Sequence, residues 1–218
     1  FDPFLEHPTS LWLLHWKLCG NGRKTTWHYA FSHYPSPVFE REGLQQSLVK
    51  LALESGWKSS SSNTIKRDVD CFVRTYSARP LKNKEAHEDA LECPLVELNL
   101  IRSAGGKDLF RFVRGQKPSL THSVFLFALV EFWKKRATSS HLSFENIMHE
   151  PGSPGRVFLL DEDDLANRLG HFAELTDGQI EWSETAGLRE LIWRADRDLR
   201  PLDYIAADFG TAFKSEAA

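Results

Sequence analysis

The chain is poor in sulfur. Its 218 residues hold one methionine and three cysteines, Cys19, Cys71 and Cys93. They are odd in number, far apart and form no C-x-x-C pair, which argues against both a disulfide framework and a structural zinc site. A reducing, cytoplasmic compartment follows as the simplest expectation. No apolar run is long enough to span a bilayer, and no signal peptide is present, so no membrane partner is expected. There is no global excess of basic charge either: 27 Lys and Arg stand against 30 Asp and Glu, a formal net charge of -3. That balance excludes a protein that coats a polyanion over its whole surface. The chain begins at Phe1 without a methionine, so it is expected to be a fragment of a longer protein.

Apolar material is plentiful. Hydrophobic residues make up 41% and aromatics 12%, with seven Trp and fifteen Phe, enough for one large core or two small ones. The charge is also uneven. Lys58 to Lys84 carries seven basic residues (Lys58, Lys66, Arg67, Arg74, Arg79, Lys82, Lys84) and two acidic ones (Asp68, Asp70). Glu85 to Glu97 carries five acidic residues and no Lys or Arg. A basic patch inside a neutral protein fits local binding of a polyanion.

The centre of that patch is Ser59 to Tyr76. Ile65, Val69, Phe72 and Tyr76 recur at the spacing of one helical face, with Asn63, Arg67, Asp70 and Arg74 opposite. Ser62 or Asn63 is the expected N-cap. A helix over Arg41 to Ser55 and a turn at Gly56 precede it, which together make a helix-turn-helix candidate over 41–76. Upstream, a bulky helix capped by Thr9 or Ser10 runs to Gly20, with apolar residues nearly all round and hence deep packing. A loop with Arg23 and Lys24 follows, then an aromatic helix Trp27 to His33 capped by Thr25 or Thr26. His15, His28 and His33 match no metal spacing and are expected to be buried or hydrogen-bonded. Tyr34 to Val38, with two prolines, reads as loop.

After Tyr76 a polar linker, Ser77 to Glu92, is expected. Pro94 should open a short helix stopped by a left-handed Asn99. Leu100 to Ser103 and Leu109 to Arg114 read as a hairpin across 104–107. Pro118 marks a boundary. Beyond it come a long helix Ser119 to Ala137, a short one capped by Ser143, and the turn-rich Pro151 to Arg156. Val157 to Leu160 reads as a strand or buried lead-in. Asp161 should cap a helix Glu162 to Glu174, and a second hairpin is expected over 179–193. A last apolar segment covers Leu202 to Phe213. The expected fold is therefore mainly α with small β-hairpins (α+β): two winged-helix-like units, 1–117 with its hairpin at 100–114, and 118–218 with its hairpin at 179–193.

The candidate nucleic-acid contacts are Thr64, Lys66, Arg67 and Arg74 on the helix, Arg111, Arg114 and Lys117 on and after the hairpin, and Arg156, whose Gly152 to Arg156 loop can cradle a phosphate or simply turn. The alternative for the helix is a solvated face on which Asp70 pairs with Arg67 and Arg74. Phosphodiester cleavage would need carboxylates to hold Mg²⁺. The candidates are Asp68 and Asp70, which point to different sides of the helix, and Asp161 and Asp164 within an acidic run equally suited to capping. No PD-ExK-like, HNH-like or GIY-YIG-like signature is present.

Seven phrases in order, FDPFLEHPTSLWLLHWKL, TTWHYAF, TIKRDVDCFVRTY, CPLVELNLI, FRFVRGQKPSL, GSPGRVFLLDEDDL and ETAGLRELI, resemble a bacterial family long catalogued only as a domain of unknown function. Its members look like the nickase component, SspB, of Ssp-type DNA phosphorothioation systems, in which a desulfurase, an ATPase and a sulfur-transfer enzyme place sulfur in the DNA backbone for anti-phage defence. The family normally has a further N-terminal segment, absent here. The resemblance implies the DNA-binding part of a DNA nickase with double-stranded DNA and those proteins as partners, and it identifies no catalytic residue. The alternative is a non-catalytic winged-helix adaptor that positions partner proteins on DNA and forms a homodimer through its aromatic surface. An unrelated transcription regulator is a third reading, which the resemblance does not support.

Overall fold

The computed structural model describes residues 7–20, 25–54, 61–77, 93–106, 108–136, 140–185, 187–194 and 199–216, with side chains to 209. The loop with Arg23 and Lys24, the Gly56 turn with Ser59 and Ser60, Arg79, Lys82, Lys84 and nearly all of the polar linker lie outside the described residues.

Helix α1 spans Pro8–Cys19, and His7 rather than Thr9 or Ser10 caps it. Proline at the first helical position needs no amide partner there, which moves the start two residues earlier. Leu11, Trp12, His15, Trp16 and Cys19 are buried, but Leu14 is 43% exposed, so the packing is one-sided. Helix α2 (Thr26–Ser32) is capped by the Thr25 hydroxyl. Strand β1 (Val38–Glu40) then leads directly into helix α3 (Arg41–Glu54). Helix α4 (Ser62–Tyr76) has the highest amphipathic contrast in sequence. Its cap is Ser61, one residue before the expected position, and Ile65, Val69, Phe72, Val73 and Tyr76 are buried. A 3-10 turn, Pro94–Leu98, ends on Asn99 at φ 51, the left-handed stop read from sequence. Strands β2 (Ile101–Ser103) and β3 (Leu109–Phe112) complete a sheet in the order β1-β3-β2, all antiparallel.

The second half repeats this order. Helix α5 (His122–Arg136) leads to strand β4 (His141–Ser143) and helix α6 (Phe144–His149), capped by Ser143 as read from sequence. A helical turn α7 (Pro154–Val157) follows, then α8 (Glu162–Gly170) and α9 (Phe172–Leu175). Strands β5 (Ile180–Thr185) and β6 (Leu188–Trp193) form a sheet ordered β4-β6-β5. Helix α10 (Pro201–Glu216) closes the chain against α5. The fold is thus α+β, helices with two small three-stranded antiparallel sheets.

Two expectations are corrected. Val38, read as the end of a loop, opens strand β1, and strand β4 (His141–Ser143) forms where no element was expected. Each has three residues, too few to show an alternating pattern, and each is specified by the partner strand it meets. Of the two readings of Val157 to Leu160 the buried lead-in holds: all four residues are buried, Val157 closes the α7 turn, and Leu159 sits at φ 53, an uncommon conformation for a bulky residue. The expected helix 162–174 breaks at His171 into α8 and α9.

One continuous core joins the halves. Trp12 donates its indole N–H to Ser119 Oγ at 3.1 Å, and Trp16 donates to Glu131 Oε2 at 2.8 Å. A Cβ at Gly155 would lie 2.8 Å from the Ile147 carbonyl oxygen and 2.8 Å from Met148 Cα, both backbone atoms that cannot swing away. Gly155→Ala is therefore expected to lower stability by about 1–3 kcal/mol through overpacking, read as a drop in urea midpoint.

Candidate nucleic-acid interface

The inner face of α4 is anchored by its apolar residues, which fixes what its outer face presents. Thr64, Lys66, Arg67, Asp68, Cys71 and Arg74 are exposed there. Asp70 does not pair with Arg67 or Arg74. It lies 3.4 Å from Arg41 Nε, and Arg41 also pairs with Asp108 and stacks over the Phe110 ring at 4.8 Å. The pairing expected within α4 is therefore replaced by one that ties α4 to the start of α3 and to the β3 hairpin. Arg67, Arg74 and Lys66 have no carboxylate within ion-pair distance among the described residues.

The hairpin adds a second set. Arg111 on β3 faces Arg102 on β2 directly, and both are exposed. Like charges directly opposite across a strand pair destabilise it unless an anion lies between them. Arg102 escaped the reading of the sequence. Its place in the expected strand and the hairpin register together would have paired it with Arg111.

Arg114, Arg156 and Lys117 lie where the two halves meet. Arg114 is exposed, and its guanidinium donates to the Leu160 carbonyl at 2.5 Å. Burial lowers its pKa, and the neighbouring Arg156 lowers it further. Arg156 donates to the His149 carbonyl at 3.3 Å. Its loop is a poor phosphate cradle, because three of its amides are used within the fold: Gly152 N–H donates to Ser32 Oγ, Ser153 N–H to the Glu150 carbonyl and Arg156 N–H to Ser153 Oγ. Lys117 is only 6% exposed, and its ammonium donates to the Val113 carbonyl at 2.8 Å. Burial is the largest influence on it and brings its pKa down to about 8. Lys117 thus serves the junction rather than an outer surface.

The candidate carboxylates do not converge. Asp161 accepts from Asp164 N–H at 2.8 Å as the cap of α8. Asp164 accepts from Lys117 N–H at 3.1 Å and pairs with buried Arg168 at 3.2 Å. Asp68 is exposed and Asp70 faces Arg41. No group of three or more His, Cys, Asp or Glu among the described residues fits a metal ion. A Mg²⁺ site does not fit these side chains.

Of the three histidines weighed for metal, His15 is fully buried between Tyr76 Oη at 2.8 Å and the Val157 carbonyl at 2.9 Å. A carbonyl can only accept, so Nε2 carries the proton and Nδ1 accepts from Tyr76. His28 Nδ1 meets the Cys19 carbonyl at 2.7 Å, whereas His33 is exposed and stacks on Tyr29. Among the described residues no helix is long and apolar enough to cross a membrane.

Helix α8 carries the opposite charge on its outer face. On α8 the exposed residues include Glu162, Asp163 and Asn167, and Arg168 is buried. The exposed cations of α4 thus have no counterpart on α8.

A family model described as a protein of unknown function (DUF4007) matches residues 1–209. Two solved structures are similar over nearly the whole chain. One, an SspB crystal structure, has a TM-score of 0.79 and 29% identity, covering 98% of this chain and 62% of that one. The other, a magnesium ion-bound SspB crystal structure, has a TM-score of 0.78 and 30% identity, with the same coverage of 98% and 62%. The chain thus spans less than two thirds of the length of the SspB chains it matches. No curated protein matches the chain.

Proposed function

We propose that the chain, which belongs to the DUF4007 family, is the duplex-DNA-binding part of a DNA nickase acting in phosphorothioate DNA modification and phage defence. Its partners would be double-stranded DNA and the desulfurase, ATPase and sulfur-transfer proteins of such a system. The observation that carries the reading is the diversion of Asp70 onto Arg41, which leaves Arg67 and Arg74 exposed without an acidic partner among the described residues. Each half is read as a winged-helix unit, since its first strand pairs with its third. The likeness to SspB supports the system, and the exposed cations of α4 and of Arg102 and Arg111 support the polyanion.

The second reading, a non-catalytic adaptor, is favoured by one observation: the candidate carboxylates serve as cap and ion-pair partners. Plasmid nicking by the full-length protein, in Mg²⁺ and in EDTA, separates the two. Nicked circles in Mg²⁺ are expected for the nickase. DNA retarded on a gel with no nick in either condition supports the adaptor, and no retardation overturns both.

A further inference from the structure

A pocket of about 260 Å³ opens where the halves meet. Its walls include Tyr34, Pro37 and Phe112 from the first half and Leu159 from the second, together with Arg114 and Arg156. Small-ligand sites span roughly 300–1,000 Å³, so this one sits just below that range and suits a single flat group. Four features set it apart from an ordinary surface dent.

First, two arginines of like charge come together in it. Each uses one donor on a backbone carbonyl, Arg114 on Leu160 and Arg156 on His149. A guanidinium has five N–H donors, so most of each fork remains available. Asp161 partly offsets their like charge, raising the pKa of Arg114 while burial and Arg156 lower it. Second, the remaining walls are aromatic and apolar. Tyr34 and Phe112 rings lie 6.5 Å apart at 53°, and Tyr34 is half-buried. Third, Leu159 holds a left-handed backbone at φ 53 on the pocket wall, fixed by the Gly115 N–H to Leu159 carbonyl bond at 3.0 Å. Backbone strain of this kind persists where surrounding contacts impose it, and it clusters at binding sites. Fourth, both halves are needed, since β3 supplies Phe112 and α7 supplies Arg156.

Paired guanidiniums suit a phosphate, and flat apolar walls suit a base. We infer that this pocket takes one unpaired nucleotide of a DNA strand, its phosphate between Arg114 and Arg156 and its base against Tyr34 and Phe112. Pockets that read an extruded base do so by stacking it between aromatic or apolar side chains. This inference rests on the DNA-binding reading above, and the experiment keeps the two apart.

The test uses the full chain and two short duplexes, one fully paired and one with a 2-aminopurine opposite an abasic site. Wild type is expected to bind the second about tenfold more tightly, with quenched 2-aminopurine fluorescence on stacking. Tyr34→Ala is expected to abolish that preference while changing affinity for the paired duplex less than about twofold, and Arg156→Ala is expected to abolish the preference as well. Arg156→Lys keeps the charge but not the fork, and should lose most of the preference. Thermal melting checks that each variant is folded. Equal wild-type affinity for the two duplexes overturns the pocket, as does a preference that survives in both alanine variants. If those outcomes occur while the paired duplex is still bound, the DNA-binding reading stands alone. If neither duplex is bound, deoxyadenosine monophosphate decides: binding lost in Tyr34→Ala upholds the pocket, and no binding overturns it.

Discussion

Replacing Asp164 with alanine is expected to lower the free energy of unfolding by about 3–5 kcal/mol, because it leaves Arg168 charged and buried without its partner. Arg168 is 4% exposed and Asp164 9%. The guanidinium also donates to the carbonyls of Leu120 at 2.7 Å and Lys117 at 2.8 Å. The same carboxylate accepts the Lys117 N–H. This set of bonds holds the connector between the halves at the point where the chain turns from the first sheet towards α5. Burial already works against the charge, lowering the Arg168 pKa, and Asp164 counters it. Asp163→Ala, one residue away and exposed, is the control, with an expected change within about 0.5 kcal/mol. Urea unfolding of both variants checks the pair. Similar midpoints for the two would remove Asp164 from this role.

The second large effect concerns pH. Burial holds His15 neutral and pushes its pKa down to about 4 from 6.5, against the raising effect of its Val157 bond. The unfolded chain therefore takes up a proton on His15 before the folded one does. Its contribution is constant above about pH 6.5, is lost as pH falls towards 4, and levels off below that. The full loss is on the order of 3 kcal/mol, using 1.36 kcal/mol for each pKa unit. His15 joins α1, the end of α4 and α7 through Tyr76 and Val157, so all three helices should loosen together. Stability curves between pH 7 and 4, compared with His15→Gln, isolate the contribution. A variant with the same pH slope as wild type would contradict it.

Much of this architecture was legible in the sequence, for reasons that differ by element. Helix α4 was, because the spacing of Ile65, Val69, Phe72 and Tyr76 is a strong local signal. Asn99 and Ser143 were, because their roles are set by neighbouring residues. The β1 and β4 strands were not, since a three-residue strand is defined by its distant partner, Arg111 for Val38 and Ile192 for His141. The candidate site divides in the same way. Exposure of Thr64, Lys66, Arg67 and Arg74 follows from helical phase. The partner of Asp70 does not, because Arg41 reaches it only through the packing of α3 on α4. Burial of Lys117 and the meeting of Arg114 with Arg156 likewise depend on how the two halves close on each other.

The central claim is that the outer face of α4 meets DNA phosphates. The direct measurement is duplex affinity as a function of salt for wild type and for Arg67→Ala/Arg74→Ala. Each lost phosphate contact should reduce the slope of log affinity against log salt by about 0.9, so the double variant should be shallower by about 2 and bind at least about tenfold more weakly at low salt. An unchanged slope and affinity would contradict the claim and place DNA elsewhere on the molecule or nowhere on it.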